Sequence, residues 1–560
     1  MRISPVVIAV VVGVIAGVAG VRSSPAHADP PASPRLAALA AKVAANQRGA
    51  EDAFWRQVTD EGTPLVEDIG DARGRLLLTF VYRARPDTRA VAMYNAPGGI
   101  YSYARLARLP GTGVFAYSAL VDPSARFSYV LAPGDDLGPP GGGLADVNRR
   151  DLLFRPDPLN KHPYHARSLV ELPKAPPQPL LVPHRDTAPG ELVRFQIRSK
   201  ALNNEREVVV YTPPGWTATG TPYPLVVMFD GAAAILRLGL PIVLDELIAT
   251  KQIPPLVVMV VDNVDREQEL PGNAAFADFV ALDLVPWVRR AFHTTADPRR
   301  TVVAGISYGG IAASFAAGRH PAVYGNVLSQ SGSYWWAPDG DPEGEAHVRA
   351  YAGRPRLPVR FWIEIGMFEH GSVKPDYDPV TSSRHMRDVL VARGYDVTYR
   401  EFVGAHDWAC WRGTLGDGLI ALLARPPSPS GVPPASPGKA GGIEAGAARP
   451  TLLARVPRMA ILDGGDATVA WLMRQDPALV TEDEVTEAAL AVLELDHAQD
   501  ALRLLAWNAA RFPGSAAVHD SLGDAYWHAG DRARAVASYQ RSLAIDPKND
   551  HAKLMADLLR

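Results

Sequence analysis

The chain has 560 residues, a formal net charge of −3, 47% hydrophobic residues and 21% charged residues. That length exceeds what one hydrophobic core organises and predicts several domains, and the composition excludes a chain disordered throughout. With no basic surplus, a nucleic-acid-binding protein is not expected.

The first residues, "MRISPVVIAVVVGVIAGVAGVRSSPAHADPP", join an early Arg2 to an apolar run from Val6 to Val21 and the triplet Ala26-His27-Ala28. This layout predicts a secretory signal peptide over residues 1–28 and a periplasmic or secreted mature protein. A retained membrane anchor is the alternative, for which the apolar run is short. The sole cysteine is Cys410, so an exported chain of this kind is stabilised by packing rather than by disulfides.

A helical stretch ending in "EDAFWRQV" precedes alternating segments such as "RLLLTFVYRA", "GVFAYSALV" and "ARFSYVLAP", separated by Gly, Pro and Asp turns. Residues 35–175 are therefore expected to form an immunoglobulin-like β-sandwich domain. The Pro-rich "ELPKAPPQPLLVP" reads as a connector.

From about residue 190 the pattern changes to short, unbroken apolar runs: "YPLVVMFDG", "PLVVMVVD", "TVVAG", "GNVLSQSG", "RFWIEIG" and "VTYREFVG". Stretches of helical period, including "AFADFVALDLVPWVRRAF", lie between them. Buried strands alternating with helices predict a mostly parallel sheet covered on both faces, an α/β-hydrolase domain over 190–424. Residues 425–450 are rich in Pro, Gly, Ala and Ser and are expected to form a flexible linker. Beyond it, Leu522, Gly523, Tyr526, Ala535, Tyr539 and Pro547 fall at tetratricopeptide spacing, and Ala501, Leu505 and Pro513 echo it. Residues 451–560 are thus predicted to be a small all-α, tetratricopeptide-like region leaning on the hydrolase domain or on another chain. The linker predicts that this tail is separable from catalysis and serves docking to a protein partner.

Within the hydrolase segment, Gly305-x-Ser307-x-Gly309 follows a buried strand, the pattern of a nucleophile elbow that exposes a serine hydroxyl at the top of the sheet. A hydroxyl needs an imidazole base, and the base a carboxylate to fix its tautomer, in the chain order Ser, acid, His. His406 follows the last strand and is the candidate base. Glu369 lies past the end of "RFWIEIG" and is the chosen acid. Glu364 lies within that strand, Asp376, Asp378 and Asp407 compete, and a Ser/His dyad is a further possibility. Oxyanion donors are expected from the backbone N–H of Tyr308 and from the turn at Gly231 and Ala232. His162 and His165 carry only a weak zinc signal and read as surface residues. No metal and no cofactor is called for.

These residues resemble the enterochelin (enterobactin) esterases, which hydrolyse the trilactone backbone of catecholate siderophores. The resemblance runs in order through "FWRQVTDEGTPLVE", "DPLN", "VMFDG", "DREQELPGN", "RTVVAGISYGG", "VLSQSGSYWW" and "GAHDWACWRG", about residues 46–424. It implies Ser307 as nucleophile, His406 as base and Glu369 as acid, with residues 46–175 as a substrate-binding lid domain. It also implies that Arg266, Asn273, Trp335 and Trp336 meet an anionic, aromatic substrate. The chain departs from the family pattern at Ala232-Ala233-Ala234, at Gly272, at His370 and in its added tail. Two rival readings are a carbohydrate acetyl or feruloyl esterase, and an exported interaction protein whose tail works beside a vestigial hydrolase domain.

Overall fold

The computed structural model describes residues 33–559 except 96, 98–102, 137–149, 151–152, 165–166, 371–377 and 425–441. The expected leader over 1–28 lies outside the described residues, as do His165, Asp376 and most of the expected linker. Among the described residues, no helix is long and apolar enough to cross a membrane.

Two helices, Pro34–Ala44 and Ala50–Glu61, open the described chain. Two antiparallel sheets follow. One orders the strands Leu65–Glu67, Leu76–Arg83, Val114–Val121 and Ala107–Arg108, and the other orders Tyr103–Arg105, Val91–Tyr94, Arg126–Pro133, Arg167–Glu171 and Pro163–Tyr164. Alternate side chains of both, among them Phe80, Phe115, Met93 and Phe127, meet in one apolar layer because successive strand residues face opposite sides.

The hydrolase segment contains the six predicted parallel runs as neighbouring strands. In sheet order they are Asp396–Phe402, Arg360–Gly366, Asn326–Gln330, Thr301–Ile306, Leu225–Met228 and Val257–Val261. Asn204–Thr212 and Glu191–Ser199 extend this sheet antiparallel. Side chains alternate between two cores: Val226 and Met228 join one face, Leu225 and Val227 the other. Strands buried on both faces read as continuous apolar runs, which is why the sequence exposed them so clearly.

The separable tail is corrected by the structure. The end of the expected linker forms strand Ile443–Ala445 and bridge Arg449–Pro450, both paired to Glu191–Ser199 at the sheet edge. Seven described helices follow, Val456–Asp463, Gly465–Leu472, Glu482–Glu494, Ala498–Arg511, Ala516–His528, Arg532–Ile545 and Asp550–Leu559. The first five of them share one apolar cluster with the hydrolase, in which Leu452, Val485, Val492 and Leu504 are buried together with Ile235, Leu240, Leu244 and Leu415, whereas the last two pack in a cluster of their own. Arg194, only 8% exposed, meets Glu484 and Glu487 of the tail, and buried Arg458 pairs with Glu246. Composition could report a segment poor in core residues. It could not report that an edge strand stood open to receive it.

Farther out, Tyr539 packs against Gly523, where even a Cβ would lie 2.4 Å from the ring. The terminal helix is held by His551, whose Nδ1 lies 3.0 Å from Asp520 Oδ1 and whose Nε2 lies 3.7 Å from Asp524 Oδ1. Burial lowers the proton affinity of this imidazole, but Asp524 and Asp520 outweigh burial and raise its pKa from 6.5 to about 9. A raised histidine pKa stabilises the fold fully below the unfolded value and ceases to do so as pH rises through the folded one. Hydrogen exchange in Asp550–Leu559 is therefore expected to accelerate, after correction for intrinsic rates, between about pH 6.5 and 9. His551→Gln should remove that pH dependence, and an identical profile in parent and variant would disprove the anchoring role.

Candidate functional site

Strand Thr301–Ile306 ends at Ser307, and helix Tyr308–Arg319 begins immediately after it. Ser307 adopts φ 57°, ψ −118°, a strained conformation for a non-glycine residue. The turn is pinned from both sides: Ser307 N–H donates to Gln330 O at 2.9 Å, and Ser333 N–H donates to Ser307 O at 3.1 Å. The glycines have separate steric reasons. A Cβ on Gly305 would lie 2.4 Å from the Gly309 backbone, and one on Gly309 would lie 2.8 Å from Asp230 Oδ2. Gly305→Ala must push strand and helix apart, and is expected to destabilise the protein by about 1–3 kcal/mol. Urea unfolding measures this, and unchanged stability would show that the elbow has slack.

Glu369 is fully buried just past the end of strand Arg360–Gly366. Its Oε1 accepts from Ser331 Oγ at 2.6 Å and Gly366 N–H at 2.8 Å. Its Oε2 lies 2.7 Å from His406 Nδ1. Trp411 supports both partners, donating Nε1–H to Ser331 Oγ at 2.8 Å and setting its ring edge-on to His406 with centroids 4.7 Å apart. A carboxylate on Nδ1 orients the imidazole so that Nε2 is the nitrogen left for proton transfer. Neither Ser331 nor Trp411 was singled out from the sequence, although both lie inside the quoted runs "VLSQSGSYWW" and "GAHDWACWRG". No periodicity marks a residue that works through another side chain.

The competing carboxylates have other work. Glu364 is buried below the site, accepting from Gln330 Nε2 at 2.8 Å, Thr414 Oγ1 at 2.5 Å and Trp362 Nε1 at 3.1 Å, and burial pushes its carboxyl up to about 7. Asp378 caps helix Pro379–Ala392 by accepting from Thr381 N–H at 2.8 Å, and sits 3.1 Å from His370 Nδ1. Asp407 caps helix Trp408–Leu423 and reaches into the amino-terminal domain, where it accepts from Ser128 N–H at 2.9 Å.

That last contact belongs to a larger junction. Arg126 N–H donates to Val403 O at 3.1 Å, and Cys410 Sγ donates to Arg126 O at 3.1 Å. Phe368 and Ala405, the residues before Glu369 and His406, both pack into the apolar layer of the amino-terminal sheets. The amino-terminal domain therefore grips the two loops that carry the acid and the imidazole.

On the other side of Ser307, strand Leu225–Met228 leads to Asp230 and to the helix Gly231–Arg237, in which Ala232 is half-buried. Gly231 has φ +26°, and its Cβ would fall 2.5 Å from Asp262 Oδ1. Desolvation pushes Asp262 up to about 6. Tyr308 opens the elbow helix, and the Gly231–Ala232 turn follows Asp230, whose carboxylate lies where a Cβ on Gly309 of that helix would reach.

Arg266 comes to the site, but its fork is engaged: Nε donates to Asp230 Oδ1 at 2.6 Å and Nη2 to Asp230 Oδ2 at 3.1 Å. Its guanidinium lies 5.7 Å from the Tyr308 ring centroid. Arg266 thus braces the turn after Leu225–Met228 against the elbow. Asn273 caps helix Ala274–Asp278 within its own loop, its Oδ1 accepting from Phe276 N–H at 3.0 Å and its Nδ2 donating to Gln268 O at 2.9 Å. Trp335 and Trp336 are half-buried. Trp335 lies 6.0 Å from the Tyr308 ring, and Trp336 packs over Gly272, where a Cβ would lie 3.0 Å from it.

Comparison with known proteins gives a consistent picture. Residues 199–422 match the Esterase family model, and residues 77–181 match the model described as enterochelin esterase, N-terminal. The chain is 31% identical over 421 residues to the iron(III) enterobactin esterase of Dickeya dadantii, covering 68% of this chain and 95% of that protein. It is 28% identical over 421 residues to the iron(III) salmochelin esterase of Escherichia coli, covering 69% of this chain and 97% of that protein. Among solved structures, the ferric enterobactin esterase of Salmonella typhimurium matches with 29% identity and a TM-score of 0.54, covering 66% of this chain and 98% of that one. The enterobactin esterase of Shigella flexneri, crystallised in the presence of enterobactin, matches with 26% identity and a TM-score of 0.53 over 67% of this chain and 98% of that one.

Proposed function

This chain is an ester hydrolase of the enterochelin esterase family, and on that premise we propose that it cleaves the lactone esters of a catecholate trilactone siderophore through an acyl-enzyme on Ser307. The observations that support the mechanism are the contact between His406 Nδ1 and buried Glu369 at 2.7 Å and the strained elbow that holds Ser307. Enterobactin and salmochelin esterases among its relatives support the substrate class.

Ser307 Oγ attacks the ester carbonyl while His406 Nε2 takes its proton, and the carbonyl π electrons move onto oxygen. Glu369 holds the imidazolium that results. The backbone N–H groups of Tyr308 and of the Gly231–Ala232 turn stabilise the oxyanion. Collapse expels the alkoxide, which receives the proton from His406, leaving an acyl ester on Ser307. Water, activated by the same imidazole, then releases the acid and restores the serine. Opening the lactone ring loosens the grip of the ligand on ferric ion, so hydrolysis serves iron release. Trp335 and Trp336 offer half-buried aromatic faces to catechol rings, while Arg266, paired with Asp230, braces the turn beside the elbow.

Incubation with a ferric tris-catecholate trilactone should give linear catechoyl-serine products by mass spectrometry, with feruloyl sugars as the contrasting substrate. Turnover of the sugars alone would reject the siderophore reading. The leader-like pattern of residues 1–28 supports a separate proposal, a periplasmic or secreted protein with a mature amino terminus at Asp29. Amino-terminal sequencing of exported protein tests this, and a chain beginning at Met1 would refute it.

A further inference from the structure

We infer that the carboxy-terminal helical region is a working part of the catalytic unit and that Arg412 is the positioning residue through which it acts on His406. The inference rests on the reading of His406 as the base. Arg412 follows Trp411 on helix Trp408–Leu423, and Trp411 is the residue that buttresses His406 and, through Ser331, Glu369.

The guanidinium of Arg412 is 4% exposed and fully engaged. Its Nη1 donates to Glu494 O at 2.6 Å, Nη2 to Asp496 Oδ2 at 2.7 Å, and Nε to Gln178 Oε1 at 3.0 Å. Gln178 in turn donates Nε2–H to Ala409 O at 2.7 Å, one turn before Arg412. Residues 494–496 form the turn after tail helix Glu482–Glu494, and Asp496 holds φ 67° there, a left-handed conformation that Asp tolerates better than most residues. The same turn reaches the opposite wall of the site. Glu494 Oε1 lies 3.8 Å from Nε of Arg237, the last residue of the helix that begins at Gly231, and the Arg237 guanidinium lies 5.4 Å from the Trp408 ring. Leu495 meets Gly239, where a Cβ would lie 3.0 Å from its Cδ2.

One turn of the tail thus holds both the helix behind the imidazole and the helix behind the proposed oxyanion turn. A rigid support of this kind matters because displacement of a catalytic group by about 1 Å can lower turnover on the order of a hundredfold. The carboxylate of Asp496 and the carbonyl of Glu494 hold a cation that cannot be deprotonated at ordinary pH, so the support does not weaken across the working range of a histidine base.

The test uses the full chain. Arg412→Gln is expected to lower kcat by about 10- to 100-fold with little change in KM, to move the acid limb of the kcat/KM profile, and to slow labelling of Ser307 by a fluorophosphonate. Arg412→Lys, which keeps the charge, should recover part of each. A purely structural Arg412 would lower thermal stability while leaving kcat per labelled site and the pH profile as in the parent, and that result overturns the inference. If Arg412→Gln does not fold, Asp496→Ala carries the test, since that carboxylate is 53% exposed. A several-fold lower kcat at parental circular dichroism supports the inference, and an unchanged kcat overturns it. Failure of the parent reading is separable, because it would appear as an active Ser307→Ala protein.

Discussion

Replacing Ser307 by alanine is expected to lower ester turnover by up to about a millionfold while substrate binding persists. Alanine removes the one oxygen that forms the acyl-enzyme, whereas the half-buried tryptophans and the Arg266–Asp230 pair at 2.6 Å stay in place. The oxyanion donors also stay, and they account for the residual rate. His406→Ala should fall nearly as far, because without a base Ser307 is an ordinary alcohol at neutral pH. Glu369→Gln should fall less, on the order of 10⁴-fold, since it removes charge and tautomer control rather than the base. Steady-state kinetics on a small ester together with equilibrium binding of the intact siderophore separate these effects. A harmless Glu369→Gln beside an essential Asp376 or Asp378 would move the acid and leave the mechanism standing. Parental rates in Ser307→Ala would reduce the strained turn at "AGISYGG" to a turn alone.

Deleting residues 451–560 is expected to leave a protein that aggregates or unfolds below the assay temperature. Leu192, Ile235, Leu238 and Leu240 of the hydrolase share a continuous core with Leu452, Leu453, Val485 and Val492 of the tail. Uncovering four such aliphatic side chains costs about 6–12 kcal/mol, comparable with the whole stability of about 5–15 kcal/mol of an ordinary domain. The loss also strips Glu484 and Glu487 from Arg194, and Arg458 from Glu246. Any folded remainder should turn over slowly, because Arg412 and Arg237 lose the turn that holds them. Thermal denaturation, light scattering and kcat of the soluble fraction decide the matter. A stable, fully active truncation would restore the picture of an appended docking module.

Several features of this protein are local and were therefore legible in the sequence alone. A strand buried on both faces has to be apolar throughout, so six parallel strands stood out as runs such as "TVVAG" and "RFWIEIG". The elbow requires glycines where backbone meets backbone, which marked Ser307. A histidine directly after the last strand became the candidate base only because the serine elbow was already in place, which marked His406. Position at the C-terminal end of a strand separated Glu369 from Glu364.

What the tertiary structure decided concerns residues that meet across hundreds of positions. Asp407 competed with the preferred Glu369 in the sequence, and its partner proved to be Ser128, 279 residues away. Arg266 and Asn273 were nominated only by the family resemblance, and the packing pairs them with Asp230, Phe276 and Gln268. The largest difference is the tail. A Pro- and Gly-rich stretch reports a backbone that builds no core of its own, and says nothing about an edge strand able to pair with Ile443–Ala445 or an apolar hydrolase face needing cover. Local composition sets what a segment can form, whereas the open hydrogen bonds and uncovered side chains left by the rest of the fold set where it goes.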